Sequence, residues 1–315
     1  MHAEGNHTRK TKKKSGYRKY LPLVIMMIPG ILYMLINNYL PMAGIVIAFK
    51  DVNFAKGILQ SDWVGLKNFE YLFKTSDAYI ITRNTIMYNV VFIIVGTVLS
   101  LATAILLNEI KNKVFLKAFQ SLITLPHLIS MVIVSYLVYA LLSADVGFLN
   151  KTILPMFGIE DGILWYNEQK YWPVILTLVH FWKAVGYSSI VFFAALLGID
   201  EEYYEAARLD GASRLKQIRH ITLPILAPVI IMLTLLSVGR IFYSDFGLFY
   251  QVPMNSGSLF ETTATIDTYV FRGLTGSGDI GMSTAAGVYQ SIVGLILVML
   301  ANYVVRRFSK DNALF

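Results

Sequence analysis

A charged segment from Asp200 to Pro224 interrupts the apolar second half of the chain. Its sequence is D-E-E-Y-Y-E-A-A-R-L-D-G-A-S-R-L-K-Q-I-R-H-I-T-L-P. Asp200 is suited to cap a helix N-terminus, where the helix dipole also favours the acidic residues that follow. Gly211 predicts the end of this helix, because glycine readily takes the left-handed conformation of a helix C-terminus. Ala206 and Ala207 are small, so the helix offers a face that a partner protein could approach closely.

The spacing within this segment resembles the EAA loop of the membrane subunits of binding-protein-dependent ABC importers. Glu205-Ala206-Ala207 is followed after three residues by Gly211, and after nine more by Ile221-x-Leu223-Pro224. In that family the loop is a coupling helix that docks into a groove on a separate ATPase. The resemblance implies ATPase contacts by Glu202, Glu205, Ala206, Ala207, Asp210 and Gly211. The alternative is a loop helix that only holds two spans apart.

Two basic residues lie inside apolar stretches, and both are candidates for a substrate pathway. A charge at the centre of a membrane helix costs about 2.5–3.5 kcal/mol, so such residues usually face a cavity or a partner charge. Lys183 shares a helix face with Tyr187, and residues with hydroxyl groups lie three or four positions from Arg240 in the sequence. Alternatively, Lys183 pairs with a carboxylate of another subunit or extends towards the membrane surface. The predicted pathway for a sugar comprises Arg240, Ser237, Tyr243, Ser244, Asp245, Lys183, Tyr187, Tyr136 and Tyr88.

Composition places the chain among all-α membrane proteins. Apolar residues make up 56% of the sequence and charged residues 15%, whereas a soluble domain carries about 25% charged residues. No cysteine is present, which excludes disulfides and cysteine metal sites. The five histidines lack metal-ligand spacing, so no metal site is predicted.

Six apolar stretches approach the roughly 20 residues that a helix needs to cross a bilayer. They predict a six-helix transmembrane domain over residues 20–306, with spans near residues 21–39, 81–108, 121–143, 171–198, 223–249 and 285–305. The segment 41–49 is too short to cross alone, and we expect it to extend the first helix or to lie at the outer interface. The segment 200–224 is the connecting EAA loop.

Charge placement predicts the orientation of these spans. Residues 1–19 form a basic tail with no cleavage site after it, and residues 307–315 form a C-terminal tail. If the N-terminus is inside, the inner segments carry most of the 27 Lys and Arg residues. Because short basic loops stay in the cytoplasm, both tails and the EAA loop are predicted to be cytoplasmic. A basic run beside a span fixes orientation and contacts anionic lipid, and we predict no binding to nucleic acid.

The sequence lacks the chemistry for nucleotide hydrolysis. No G-x-x-x-x-G-K-[ST] motif occurs, so this chain by itself is not expected to hold the phosphates of ATP. The glycine-rich run Gly273–Gly278 lacks the lysine, and we interpret it as a flexible loop. The chain is therefore predicted to be no enzyme and to bind no cofactor, with ATP and Mg²⁺ held by partner ATPase subunits.

Further stretches resemble the permeases of carbohydrate ABC importers, in particular the LplB-type oligosaccharide and polysaccharide permeases. They are Tyr39–Lys50, Trp63–Phe69, Leu125–Ser130, Phe181–Tyr187 and Ala194–Asp200. This resemblance implies a type I importer permease fold in a bacterial cytoplasmic membrane. It also implies four kinds of partner: a second, similar permease subunit, two cytoplasmic ATPase subunits, an extracellular solute-binding lipoprotein and a carbohydrate substrate.

Three alternatives stay open at this point. An ABC permease for a non-sugar solute would share the EAA loop. An ion-coupled secondary transporter would also place polar residues at mid-membrane. A membrane enzyme would need paired carboxylates or a histidine dyad near a membrane face, and no such pair occurs at helical spacing.

Overall fold

The computed structural model describes residues 17–159, 161–277 and 279–308. Most of the predicted basic tail, Gly278 and most of the predicted C-terminal tail lie outside the described residues. The chain divides into two compact units, with the boundary after Val46.

The N-terminal unit is built on one apolar helix. Helix α1 spans Tyr17–Met34 and contains Pro22 and Pro29. The chain stays helical beyond it, through Leu35–Tyr39, Leu40–Met42 and Ala43–Phe49. The 30 residues from Tyr20 to Phe49 are apolar and long enough to cross a membrane. The segment 41–49 therefore extends the first helix, which was one of its two predicted placements.

The second unit is a helical bundle with one small hairpin. Strands β1 (Lys50–Asp51) and β2 (Asp62–Trp63) pair antiparallel, with Lys50 opposite Trp63. The longer helices are α2 (Lys67–Lys74), α3 (Ser76–Asn108), α4 (Lys113–Leu128), α5 (Met131–Leu142), α6 (Trp172–Leu196), α7 (Glu201–Leu209), α8 (Arg214–Val238), α9 (Ile266–Arg272) and α10 (Ile280–Phe308). Shorter helical turns are Leu149–Ile153, Leu154–Met156, Gln169–Tyr171, Gly247–Gln251, Gly257–Leu259, Phe260–Thr263 and Gly273–Ser277.

The number of spans reaches the predicted six if one bent pair of helices is counted as a span, and two of the predicted spans are interrupted. Five described helices are long and apolar enough to cross a membrane, and a sixth span results if the bent pair α4 and α5 counts as one. The predicted span over residues 121–143 is not one straight helix, because the two helices of this pair meet at 94°. The predicted fifth span is also too long, since α8 ends at Val238 rather than at residue 249.

The glycine-rich run was predicted to be a flexible loop, and its described part is instead a helical turn, Gly273–Ser277. A β-carbon added at Gly273 would lie 1.6 Å from the Ser283 hydroxyl oxygen. Glycine is therefore required there because the start of α10 packs directly against the turn.

Lys183 on α6 binds the backbone at the break between α4 and α5. Its ammonium donates to the carbonyl oxygens of Pro126 (3.1 Å), His127 (3.4 Å) and Ile129. The last carbonyls of a helix have no partner within the helix and carry the negative end of its dipole. A buried cation at this position donates to the unpartnered carbonyls and balances the negative end of the dipole. Lys183 is 9% exposed.

Close packing of α4 on α6 places Lys183 within reach of this break. Gly186 lies one turn after the lysine, and a β-carbon there would come within 1.8 Å of the Ile123 carbonyl oxygen. The next residue, Tyr187, stacks on His127 with ring centroids 4.3 Å apart. Glycine is thus required at position 186 because two helix backbones are in contact there.

Side-chain amides support the second interruption, which follows α8. The Asn89 amide on α3 donates to the carbonyl oxygens of Ile241 and Tyr243, both at 3.0 Å. The Gln290 amide on α10 donates to the Phe242 carbonyl oxygen at 2.6 Å. Three successive backbone carbonyls that leave the helical pattern are therefore bonded to neighbouring helices.

The core of the second unit lies between α3 and α6, which pack along their length. One apolar cluster contains Tyr88, Phe92, Trp172 and Phe249. A second cluster fills the other end of the same helix pair and contains Ala104, Leu107, Phe192, Phe193, Leu196 and Leu226. The two long helices therefore form a frame against which the interrupted helices pack.

Replacement of Lys183 by Met tests the role of this lysine. Methionine keeps the volume but leaves carbonyls at the break unpaired, and each unsatisfied buried group costs about 1–3 kcal/mol. We expect a lower midpoint of thermal unfolding for the purified protein. Lys151→Met is the matched control, because Lys151 is exposed. Equal unfolding midpoints for the two variants would show that the break does not depend on Lys183.

Candidate functional site

Helix α7 in the segment 200–224 begins as the sequence predicts. Asp200 precedes the helix in extended conformation, and its carboxylate accepts the Glu202 backbone N–H at 3.1 Å. Glu201 and Glu202 occupy the first turn, where the positive end of the helix dipole favours them. The predicted N-cap is confirmed.

The end of α7 also follows the prediction. Gly211 has φ +73°, which lies in the left-handed region. Its N–H donates to the Arg208 carbonyl oxygen at 3.0 Å, and the Ala212 N–H donates to the Ala207 carbonyl oxygen at 2.8 Å. This pair of bonds is the Schellman arrangement, which ends a helix within one residue.

The surface of α7 has little cover in this chain. Of the residues predicted to contact an ATPase, Ala207 is half-buried and the others are exposed. Two leucines near the helix end are also exposed, Leu209 to 90% and Leu215 to 76%. A short helix with exposed carboxylates, small residues and projecting leucines has the composition of a contact surface for another protein.

Three contacts attach this surface to the spans. Arg214 forms an ion pair with Glu109, which follows the end of α3, at 3.3 Å. The hydroxyls of Tyr204 and Thr222 lie 2.9 Å apart. The Gln217 amide donates to the Ala212 carbonyl oxygen at 2.9 Å. Together these contacts link the segment 200–224 to the end of α3 and to α8.

A cavity of about 520 Å³ lies between α3, α6 and α8. Its wall combines apolar and aromatic side chains with hydroxyl, amide and imidazole groups and one guanidinium. The polar and aromatic members of the lining are Asn89, Phe92, Thr97, Ser100, His180, Phe181, Tyr187, Ser188, Phe192, Ser237, Arg240 and Tyr243.

Four of the predicted pathway residues meet in this cavity: Tyr187, Ser237, Arg240 and Tyr243. Arg240 and Tyr243 lie in the turn that follows α8, rather than within a span as predicted. The turn is fixed by the bond from the Tyr243 N–H to the Arg240 carbonyl oxygen, at 2.9 Å. The interruption of this span therefore directs two candidate side chains towards the cavity.

The other predicted pathway residues do not line this cavity. Lys183 is bonded to the break between α4 and α5, and Tyr88 is buried and donates to the Thr262 carbonyl oxygen at 2.9 Å. Three more lie elsewhere: the Ser244 hydroxyl bonds to Asp267 and Thr265, the Asp245 carboxylate accepts the Leu248 N–H, and Tyr136 is 64% exposed on α5. Four of these residues therefore form hydrogen bonds within the chain, and Tyr136 lies on a different surface.

Sequence reasoning missed several lining residues. Asn89, Thr97 and Ser100 are polar residues within the apolar α3, and they lie on one side of this helix. Asn89 and Ser100 are eleven residues apart, which is close to three whole turns of an α-helix, and Thr97 lies about one turn before Ser100. This polar stripe was visible in the sequence. Ser188 follows Tyr187 on α6 and carries no comparable signal.

Comparison with known proteins assigns the family. The family "Binding-protein-dependent transport system inner membrane component" matches residues 96–310. The chain is 39% identical over 295 residues to the polygalacturonan/rhamnogalacturonan transport system permease protein YteP of Bacillus subtilis (strain 168), covering 94% of this chain and 90% of YteP. It is 37% identical over 292 residues to protein LplB of the same organism, covering 92% and 90%.

A solved structure extends the comparison to three dimensions. It contains a bacterial alginate ABC transporter in complex with alginate pentasaccharide-bound periplasmic protein. A chain in it aligns with a TM-score of 0.82 at 31% identity, covering 95% of this chain and 99% of that chain. The predicted importer permease fold is thereby confirmed. The chain is an integral membrane protein that belongs to the family of binding-protein-dependent transport system inner membrane components.

Proposed function

We propose that this chain is a permease subunit of an ATP-driven ABC importer that takes up an oligosaccharide delivered by an extracellular solute-binding protein. The observation that carries the proposal is the exposed, capped helix α7, attached to the helices that line a cavity. An oligosaccharide cargo is supported by the substrates named for similar proteins, which are polygalacturonan, rhamnogalacturonan and alginate.

The importer requires further subunits. A second permease subunit would close the cavity, and two ABC ATPase subunits would bind ATP and Mg²⁺ and hydrolyse the nucleotide. A solute-binding protein would dock on the extracellular side, as a periplasmic protein binds the similar alginate transporter. The complex would lie in a bacterial cytoplasmic membrane with α7 and both termini in the cytoplasm. That orientation is supported by the excess of Lys and Arg in the inner segments.

The contacts of α7 provide a path for coupling. An ATPase dimer that closes on ATP would move α7 as a rigid attachment. The short connection from Leu209 to Arg214, together with the ion pair between Arg214 and Glu109, would pass this movement to two walls of the cavity. Rotation of packed helices about such a contact is a common form of switching between two states. The cavity would then open alternately to each side of the membrane.

The cavity suits a sugar in size and lining. Its volume of about 520 Å³ lies within the range of roughly 300–1,000 Å³ typical of small-molecule sites. Tyr187 and Tyr243 offer aromatic faces, while Ser188 and Ser237 offer hydroxyl groups. Such a lining can hold sugar rings by contact with the aromatic faces and orient their hydroxyl groups by hydrogen bonds.

Uptake into proteoliposomes tests the proposed function. The full importer, reconstituted with its binding protein, should accumulate a tritium-labelled oligogalacturonate only when ATP is enclosed with the ATPase subunits. Ionophores that clamp the ion gradients should leave this uptake unchanged. Accumulation that persists without ATP and stops with the ionophores would identify an ion-coupled secondary transporter instead.

Substitution at Gly211 tests the coupling role of α7. Valine in the left-handed conformation is strained by roughly 1–2 kcal/mol, whereas asparagine tolerates it. No atom lies within 4 Å of a β-carbon added there, so the β-carbon of either residue would fit. We expect Gly211→Val to uncouple ATP hydrolysis from uptake and Gly211→Asn to retain most transport.

The affinity of the binding protein for its glycan is the control, because that protein does not contact α7 in this account. Wild-type uptake rates in Gly211→Val would contradict the coupling role of the helix end.

A further inference from the structure

We infer that Arg240 makes this importer selective for anionic glycans by binding a sugar carboxylate in the cavity. The inference rests on the proposed function and deepens it, since it names the substrate class and the residue that recognises it. The ligand would be an oligosaccharide of hexuronic acids, in which each residue carries a carboxylate on the sugar ring.

The cavity carries a single fixed charge. Among the described residues that line it, Arg240 is the only Lys, Arg, Asp or Glu. The remaining polar groups of the wall are uncharged hydroxyls and amides or the imidazole of His180, which stacks on Phe92 with ring centroids 3.7 Å apart. The electrostatic potential of this wall therefore favours an anion over a cation.

The guanidinium of Arg240 is available for a ligand. The residue is exposed, and in the part of the chain that the structure describes its side chain has no hydrogen bond or ion pair. An arginine presents five N–H donors in a planar fork.

Two acidic residues close to the turn that carries Arg240 are engaged elsewhere. The Asp245 carboxylate accepts the Leu248 N–H at 3.1 Å, and neither Asp245 nor Asp267 belongs to the cavity lining. Asp267 accepts the Ser244 N–H at 2.7 Å and the Ser244 hydroxyl at 2.8 Å. These carboxylates are therefore held by neighbouring backbone and hydroxyl groups and leave Arg240 without an internal counter-ion.

The backbone around Arg240 is held firmly enough to orient the guanidinium. The Arg240 N–H donates to the Ser237 carbonyl oxygen at 3.0 Å, and its own carbonyl oxygen accepts the Tyr243 N–H. The Asn89 amide anchors the adjacent carbonyls of Ile241 and Tyr243. A side chain whose backbone is already held in place loses less conformational entropy on binding. This favours a bidentate contact with a planar carboxylate.

Direct binding to the assembled importer tests this inference without the selectivity of the binding protein. The complete membrane complex in nanodiscs is titrated with a short oligogalacturonate and with its carboxyl-reduced, uncharged form. A charge-assisted hydrogen bond is worth about 10- to 100-fold in affinity, so Arg240→Gln should raise the Kd for the acidic glycan by that factor. Arg240→Lys should cause a smaller loss, because it keeps the charge and loses the fork.

The uncharged glycan and a remote cation provide the controls. The Kd of the reduced glycan should be the same in all variants, and Lys151→Gln, which removes an exposed charge outside the cavity, should change neither Kd. An equal loss for both glycans, or no loss in Arg240→Gln, would overturn the inference. A wild-type importer that binds both glycans equally would overturn it and leave the proposed function intact. A wild-type importer that binds neither glycan would also overturn the inference, while the ATP-dependent uptake experiment decides the proposed function separately.

Discussion

In a bilayer, every backbone N–H and C=O needs a partner from the protein, because lipid offers none. This constraint governs both interrupted spans of the chain. At the break between α4 and α5, the ammonium of Lys183 donates hydrogen bonds to carbonyl oxygens that have no partner within α4. After α8, the side-chain amides of Asn89 and Gln290 donate hydrogen bonds to three successive backbone carbonyl oxygens. Each donor stands on a continuous helix, so the interrupted helices depend on the uninterrupted ones.

Helix α3 connects the parts of the molecule that transport would have to coordinate. It provides Asn89 for the turn after α8 and a stripe of polar residues for the cavity wall. Directly after its end, Glu109 pairs with Arg214 in the segment that contains α7. The turn held by Asn89 carries Arg240 and Tyr243, so the helix that would receive the movement of α7 also positions the candidate ligand contacts.

Features set by neighbours in sequence could be predicted, whereas features set by distant contacts could not. The start and end of α7 follow from Asp200 and Gly211 alone, because caps are local. The break near Ile129 was marked in the sequence only by Pro126 and by Ser130, which caps α5, and the donor to its carbonyls is a lysine 54 residues away. The cost of a charge in a membrane correctly indicated that Lys183 needs a partner, but it did not say that the partner would be backbone carbonyls.

The importer account requires that α7 lie in the cytosol, where an ATPase can bind it. The chain contains no cysteine, so Leu209→Cys introduces a unique thiol at a side chain that is 90% exposed. In inverted membrane vesicles stripped of the ATPase subunits, a membrane-impermeant maleimide should label this thiol, and rebinding of those subunits should reduce the labelling. In intact cells with an accessible outer surface it should stay unlabelled. Labelling from the outside of intact cells would place α7 on the wrong side of the membrane and contradict the account.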